Sequence, residues 1–145
     1  MKSTLKTLFV GFVALAAVSC CKAPEVVELT SPDGTTTLSL NLAGEALTWA
    51  VERNGVEAIA PSKLAMELYD GTVLGAAPEA TCVKTKSVTE TIEAPFYRQA
   101  EFTEEYNEAL VRLKGNYAVR LRAYNSGVAY RFETKFGKPI VVKNE

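Results

Sequence analysis

Apolar and polar residues alternate with a period of two along most of this chain after its first 25 residues. Leucines alternate with polar residues over 38–42, and apolar residues alternate again over 47–51, beginning at Leu47 and passing through Trp49. This pattern is typical of half-buried β-strands, because successive side chains of a strand point to opposite faces of a sheet. No segment keeps a helical period, so we predict an all-β, antiparallel sandwich in which order begins near Val26.

Turn sequences separate the predicted strands. Asn54-Gly55 is the strongest short hairpin signal, and it predicts a hairpin from Ala46 to Ile59. Ser31-Pro32-Asp33-Gly34 predicts another turn, since proline presets φ and glycine accepts a left-handed conformation. Further strands are predicted over 64–68 and over 83–92, the second of them on a surface or an edge.

The strands nearest the end of the chain are predicted over 109–114, 119–124 and 128–132. If Ser126-Gly127 is a two-residue loop, the last two strands have a defined register. It places Ala123 opposite Tyr130, Leu121 opposite Phe132, and Arg120 opposite Glu133 on the outer face.

The first twenty residues follow a different pattern. Lys2 and Lys6 precede an uncharged run from Thr7 to Ser19, which contains most of the apolar residues of this segment. The run is shorter than the roughly 20 apolar residues that a membrane-spanning helix needs, and it ends in small residues. We therefore predict a cleaved signal peptide over 1–20.

Cys20 follows these small residues in a pattern similar to the bacterial lipobox, in which the cysteine is lipidated and becomes the new N-terminus. Ala17 stands where the common pattern has leucine, so cleavage before Cys21 and simple secretion remain alternatives. We predict lipidation of Cys20 and a tether over 21–26. The anchor would place the protein in the bacterial cell envelope, on the periplasmic or surface face of the outer membrane.

Charge and composition exclude several function classes. Removal of the leader leaves 14 basic and 17 acidic residues, a net charge of about −3 with no basic patch, which excludes nucleic acid as a partner. The chain has no histidine, so Ser-His triads, histidine acid–base catalysis and the usual zinc sites are excluded. Cys82 has no base to activate it, and we interpret it as a strand thiol.

An acidic cluster contains Glu101, Glu104, Glu105 and Glu108. A calcium site or a glycosidase carboxylate pair could use such residues. The cluster lacks the Asp- and Gly-rich spacing of a calcium loop, so we interpret it as a solvated connection between two strands. We predict no metal site and no catalytic residue in this chain.

Aromatic residues near Arg98 could stack on sugar rings, or they could form a hydrophobic lid over one end of the sandwich. They are Phe96, Tyr97, Phe102 and Tyr106. The turn at Asn125 is a further candidate for binding, although we favour its interpretation as a plain Asn/Gly turn. The candidate carbohydrate contacts are therefore Tyr97, Arg98, Tyr106 and Asn125.

From about Val27 onward, the chain resembles the N-terminal domain of glycoside hydrolase family 97, the α-glucosidase and α-galactosidase family common in gut Bacteroidetes. The most specific matching run is 122–132, Arg-Ala-Tyr-Asn-Ser-Gly-Val-Ala-Tyr-Arg-Phe. The other matching segments are 31–34, 47–49 with Asn54-Gly55, 64–68 with Asp70-Gly71, Tyr97-Arg98 and 105–108.

The resemblance implies a β-super-sandwich packed on a (β/α)8 barrel that holds the catalytic carboxylates, with a calcium ion bound mostly by barrel residues. This chain ends at Glu145. We therefore expect residues 27–145 to be an incomplete N-terminal domain without the barrel, with no cofactor of its own and no activity alone.

The leading hypothesis is structural support for a missing barrel that degrades α-linked glucans or galactosides. One alternative is a stand-alone carbohydrate-binding envelope lipoprotein, and another is a structural envelope protein without a ligand. A partial sandwich would leave some apolar strand faces without partners, so we also predict poor solubility or self-association.

Overall fold

The computed structural model describes residues 24–93 and 101–145 of the chain, and in these ranges it contains only strands and connections. No helix able to cross a membrane occurs in the described ranges. The strands are β1 (Val26–Thr30), β2 (Thr36–Asn41), β3 (Thr48–Arg53), β4 (Val56–Lys63), β5 (Met66–Leu68), β6 (Val73–Leu74), β7 (Ala80–Glu93), β8 (Glu101–Leu113), β9 (Tyr117–Tyr124), β10 (Gly127–Thr134) and β11 (Val142–Asn144).

The strands form three antiparallel sheets, in agreement with the predicted class. The first sheet has the order β1-β2-β3-β4, the second β10-β9-β8-β7, and the third, smaller sheet β11-β5-β6. β1 and β2 of the first sheet lie against β8, β9 and β10 of the second. The two larger sheets therefore form a sandwich, and β1 begins at Val26, where order was predicted to begin.

The core lies between the two larger sheets. Leu38 and Leu40 of β2 are fully buried, as are Val119 and Leu121 of β9. In β2, and in β9 from Val119 onward, buried residues alternate with half-buried ones, because one face of each strand meets the opposite sheet. The period-two pattern of the sequence therefore predicted the core correctly in these strands.

The hairpin around Asn54-Gly55 forms as predicted, with β3 and β4 as its strands. Asn54 and Gly55 have φ values of 51° and 75°, which is the conformation that this residue pair favours in a two-residue turn. Leu47 and Val51 are buried, and Trp49 packs against the core.

The predicted register of β9 and β10 is wrong by two residues. Tyr124 pairs with Gly127, so Asn125-Ser126 is the loop, Leu121 lies opposite Tyr130, and Val119 lies opposite Phe132. Gly127 belongs to β10 rather than to the turn. Because the error is an even number of residues, each side chain still lies on its predicted face.

The acidic segment that was predicted to be a solvated connection is instead part of β8, a correction of that prediction. The four residues alternate faces there, and Glu108 is only 2% exposed. The segment 83–92 lies in β7, at the edge of the second sheet as predicted.

The pair β7–β8 is longer than the rest of its sheet. β9 pairs with β8 only from Tyr106 to Leu113, whereas β7 pairs with β8 up to Glu93 and Glu101. The outer part of the pair is therefore a two-stranded ribbon beyond the sandwich.

Gly75 joins the third sheet to the second. Its N–H donates a hydrogen bond to the hydroxyl oxygen of Tyr117 at 3.2 Å. Its φ is +90°, and a Cβ added there would lie 2.4 Å from the carbonyl oxygen of Leu64. The backbone approaches so closely that only glycine fits this position.

Candidate functional site

A network of charged and aromatic side chains covers the outer face of the second sheet. Alternate residues of β8 and β9 point into the core, so the residues between them point outward. The register places Glu108 opposite Arg122 and Tyr106 opposite Tyr124. Neighbouring strands therefore bring these side chains into direct contact.

Glu108 lies at the centre of this network. Arg120 donates to its Oε1, and the Nε of Arg122 donates to its Oε2 at 2.9 Å. The Nζ of Lys86 lies 3.3 Å from Oε1. Burial raises the pKa of Glu108, but the hydrogen bonds from Arg122 and Lys86 and the charge of Arg120 outweigh it and hold the pKa below its ordinary value. Glu108 is therefore an anion at neutral pH and unsuited to donate a proton.

Glu133 extends the network to β10. The guanidinium of Arg120 forms two hydrogen bonds to its carboxylate, Nε to Oε1 at 2.5 Å and Nη2 to Oε2 at 3.0 Å. The Nε of Arg131 also donates to Oε1, at 2.8 Å. These bonds, first of all those from Arg120, lower the pKa of Glu133 to about 2. Arg120 therefore bridges two carboxylates, one on each strand that neighbours β9. Glu133 lies diagonally from Arg120 across the strand pair, and not directly opposite as predicted.

Tyr106 is enclosed by its neighbours on the same face. Its side chain is 2% exposed, and the guanidinium carbon of Arg122 lies 4.3 Å from its ring centroid. The ring of Tyr124 lies 5.0 Å away, and the Tyr106 hydroxyl donates to Oε1 of Glu90 at 3.0 Å. Burial raises the pKa of the Tyr106 hydroxyl. No open ring face remains on which a sugar could stack.

Asn125 connects two turns from different sheets. Its Oδ1 accepts a hydrogen bond from the backbone N–H of Asp33 at 3.1 Å, and its carbonyl oxygen accepts one from Nη2 of Arg53 at 3.4 Å. The Ser31 hydroxyl donates to Oδ1 of Asp33 at 2.6 Å and is the main reason that the pKa of Asp33 lies below its ordinary value. The two turns thus close one end of the sandwich.

Of the four predicted carbohydrate contacts, Tyr106 and Asn125 lie within the described residues. Tyr106 lies on the outer face of the second sheet, whereas Asn125 is bonded to the first sheet. Tyr97, Arg98 and the predicted lipidation residue Cys20 lie outside the described residues, so their roles remain predictions.

Arg120, Arg122 and Glu133 were not singled out as site residues from the sequence. Opposite charges at outward positions of adjacent strands could have indicated them. β8 and β9 are consecutive strands of one hairpin, but Glu108 was assigned to a connection rather than to a strand, so its pairing with Arg122 was not predicted.

The calcium ion that the resemblance implies has no fitting donor set in the described part of the chain. No group of three or more Cys, Asp or Glu side chains within 24–93 and 101–145 could hold a metal ion. Cys82, which is half-buried, is a free thiol in these ranges.

Comparison with known proteins places this fold in a family. The family model described as glycosyl-hydrolase 97 N-terminal matches residues 29–145. The chain is similar to the retaining alpha-galactosidase of Bacteroides thetaiotaomicron, with 36% identity over 140 residues, which is 97% of this chain and 21% of that protein. The chain thus spans about a fifth of this curated relative's length.

Solved structures agree in fold. A glycoside hydrolase family 97 enzyme from Pseudoalteromonas sp. strain K8, solved in complex with acarbose, superposes with a TM-score of 0.70 and 22% identity, over 80% of this chain and 19% of that one. A beta-arabinopyranosidase gives a TM-score of 0.71 and 21% identity, over 81% and 20% of the two chains. With the family match covering most of its length, this chain belongs to the glycosyl-hydrolase 97 N-terminal family.

Proposed function

We propose that this chain serves as the N-terminal sandwich of an enzyme that hydrolyses α-linked glycosides, and that it gives structural support to a catalytic barrel. The family match over 29–145 carries this proposal. The retaining alpha-galactosidase relative favours an α-galactoside as substrate, with an α-glucoside as the alternative.

The carboxylates of the outer-face network support a structural role. A retaining or inverting glycosidase needs one carboxylic acid with a raised pKa, so that it can protonate the leaving group. Glu108 and Glu133 have lowered pKa values and are occupied by arginines. Both are suited to hold β7 to β10 together rather than to transfer protons.

Two measurements test the proposal. We expect the gene to encode a barrel with acidic residues at strand ends beyond the codon for Glu145, or in an adjacent reading frame. We also expect the purified chain alone to release no more nitrophenol from nitrophenyl α-galactoside or α-glucoside than a buffer blank. Hydrolysis by this chain alone would show that it carries its own catalytic groups.

A third measurement separates support from catalysis in the barrel-bearing protein. Glu108→Ala should lower its melting temperature, because the arginines lose their buried partner. The kcat and KM of the folded enzyme should be unchanged. A selective fall in kcat would contradict a purely structural role.

We further propose that Cys20 is lipidated and holds the protein at the bacterial cell envelope. The support is the charged and apolar leader followed by small residues. Cells fed an alkyne fatty acid should label the wild type and Cys21→Ser but not Cys20→Ser. Labelling lost only in Cys21→Ser would move the anchor by one residue, and labelling of neither cysteine would indicate simple secretion.

The stand-alone carbohydrate-binding alternative gains no support from Tyr106 or Asn125. The ring of Tyr106 is buried, and the side chain of Asn125 is bonded to Asp33.

A further inference from the structure

We propose that a cleft beside the third sheet binds neutral pyranose residues of a glycan. The cleft lies between the β5–β6 turn, the β8–β9 turn and the segment 135–141, and its volume is about 610 Å³. That volume is within the range of roughly 300–1,000 Å³ that is usual for small-molecule sites. The choice of a glycan rests on the proposed function, and neither Tyr106 nor Asn125 lines this cleft.

An exposed aromatic ring forms part of the cleft wall. Tyr69 follows β5 directly and is 77% exposed, the largest exposed fraction of any large hydrophobic residue in the described ranges. Phe136 lines the cleft too and packs against the core, so its position is fixed. Aromatic rings offer pyranoses a flat apolar face against which their C–H groups pack. Such a ring in solvent has no evident role in the packing of this sandwich.

Polar groups line the same cleft as the ring. Oδ1 of Asp70 accepts a hydrogen bond from the N–H of Thr72 at 3.0 Å, which orients the carboxylate. This bond is the main reason that the pKa of Asp70 lies below its ordinary value, so the carboxylate is an acceptor at neutral pH. Asn116 lines the same cleft, with an amide that can both donate and accept. A carboxylate and an amide in one cleft with an aromatic ring can fix sugar hydroxyls in one orientation.

Backbone hydrogen bonds hold the three cleft walls together. The N–H of Tyr69 donates to the carbonyl of Val141 at 2.9 Å, and the N–H of Lys135 donates to the carbonyl of Asn116 at 2.8 Å. The segment 135–141 is therefore tied to both turns. A site whose walls are already joined loses little conformational freedom when a ligand binds.

The charged side chains of the cleft sum to about +1, a small charge that is compatible with a neutral ligand. Lys135 and Lys138 are its cations, and Lys138 contributes to the lowered pKa of Asp70. One ammonium is thus balanced by the carboxylate. Neither lysine offers the forked pair of donors with which arginine binds a carboxylate or sulfate.

The proposal is tested by titrating the full chain with melibiose and maltotriose, in a detergent without a sugar headgroup, while amide NMR shifts are recorded. We expect shifts confined to 68–72, 115–116 and 135–141 at sugar concentrations of up to about 20 mM, a range that detects millimolar dissociation constants. Tyr69→Ala should weaken binding about two- to tenfold, which corresponds to the loss of one stacking contact.

Two further variants separate a loss of sugar binding from a loss of folding. Asn116→Gly removes the amide but suits the φ of 59° at this position, and it should also weaken binding. Phe102→Ala removes an exposed aromatic ring outside the cleft and should leave the affinity unchanged.

Three results would overturn the proposal: no shifts with either sugar, equal affinity in wild type and Tyr69→Ala, or binding of galacturonate but not of the neutral sugars. Each of these can occur while the gene still encodes an active barrel. Failure of the cleft proposal and failure of the proposed function are therefore distinguishable.

Discussion

The side chain of Asn125 accepts a hydrogen bond from the backbone of Asp33, a residue 92 positions earlier in the chain, at 3.1 Å. This bond joins the β9–β10 turn to the β1–β2 turn and thereby connects the two sheets at one end. The residues involved belong to the two turn sequences, 31–34 and 124–127, that contribute to the family resemblance. The hydrogen bond between the two turns therefore explains why both of them match the family pattern.

Removing this contact should destabilise the sandwich. Asn125→Ala is expected to lower the free energy of unfolding by about 1 kcal/mol, the usual net contribution of a hydrogen bond. Urea unfolding followed by the fluorescence of Trp49, the single tryptophan, provides the measurement. Ser126→Ala, at the neighbouring turn position, is the matched control. Equal stability of Asn125→Ala and Ser126→Ala would show that the inter-turn bond contributes nothing.

Glu108→Ala should be the most destabilising change on the outer face. It removes a buried carboxylate, so that Arg122 loses its carboxylate partner and Arg120 keeps only Glu133. We expect a loss of about 2–4 kcal/mol, less than for a completely buried pair because the arginines are partly exposed. The control is Glu79→Ala, which breaks an exposed pair with Lys114 and should cost at most about 1 kcal/mol. Similar losses in the two variants would contradict a central role for Glu108.

Glu133 should make stability depend on pH in the acid range. Its pKa is about 2 in the folded chain against an ordinary value of 4.5, so the unfolded chain takes up a proton first as the pH falls. The stabilisation is therefore complete above about pH 5 and is lost as the pH falls towards 2. Urea unfolding at several pH values gives the free energy of unfolding as a function of pH. As the pH falls, this free energy should decrease less in Glu133→Gln than in wild type.

The exposed Glu57→Gln serves as the charge control for this pH series, since it removes one carboxylate from β4 and lies outside the network. Its free energy of unfolding should change with pH in parallel to that of wild type. If Glu133→Gln also gave a parallel curve, the ion pairs of Glu133 would not be the source of the acid dependence.

Gly75→Ala should destabilise the junction between the second and third sheets. The new methyl group would meet the Leu64 carbonyl at a separation of 2.4 Å, and φ is +90°, so we expect a loss of about 2–4 kcal/mol. Thermal unfolding monitored by circular dichroism measures the resulting fall in melting temperature. In Gly127→Ala the methyl group would meet no atom within 4 Å, and the change should stay within about 0.5 kcal/mol. A tolerated Gly75→Ala would mean that the junction can move apart.

The sequence pattern predicted the strands because a local period of two follows directly from burial of one strand face. It also predicted the turn at Asn54-Gly55, whose residues both adopt positive φ. The register of β9 and β10 was missed because Gly127 suggested a turn position. Gly127 is not among the glycines with positive φ, and the loop instead lies one position earlier.

The network around Glu108 could not be predicted in the same way. A run of glutamates resembles a solvated segment when it is considered alone. The partners that bury one of them, Arg120 and Arg122, lie on β9, and only the strand pairing shows that they meet it. The cleft beside Tyr69 combines three separate segments of the chain and likewise has no local sequence pattern.

The two-stranded ribbon of β7 and β8 exposes backbone groups on both of its long edges, which is a geometry that invites a further strand to add. Glu93 lies opposite Glu101, and Glu90 lies opposite Glu104, so carboxylates recur along the ribbon. A second ribbon that approached edge to edge would bring these like charges together. The same glutamates that weaken the isolated ribbon thus oppose the growth of fibrils from it.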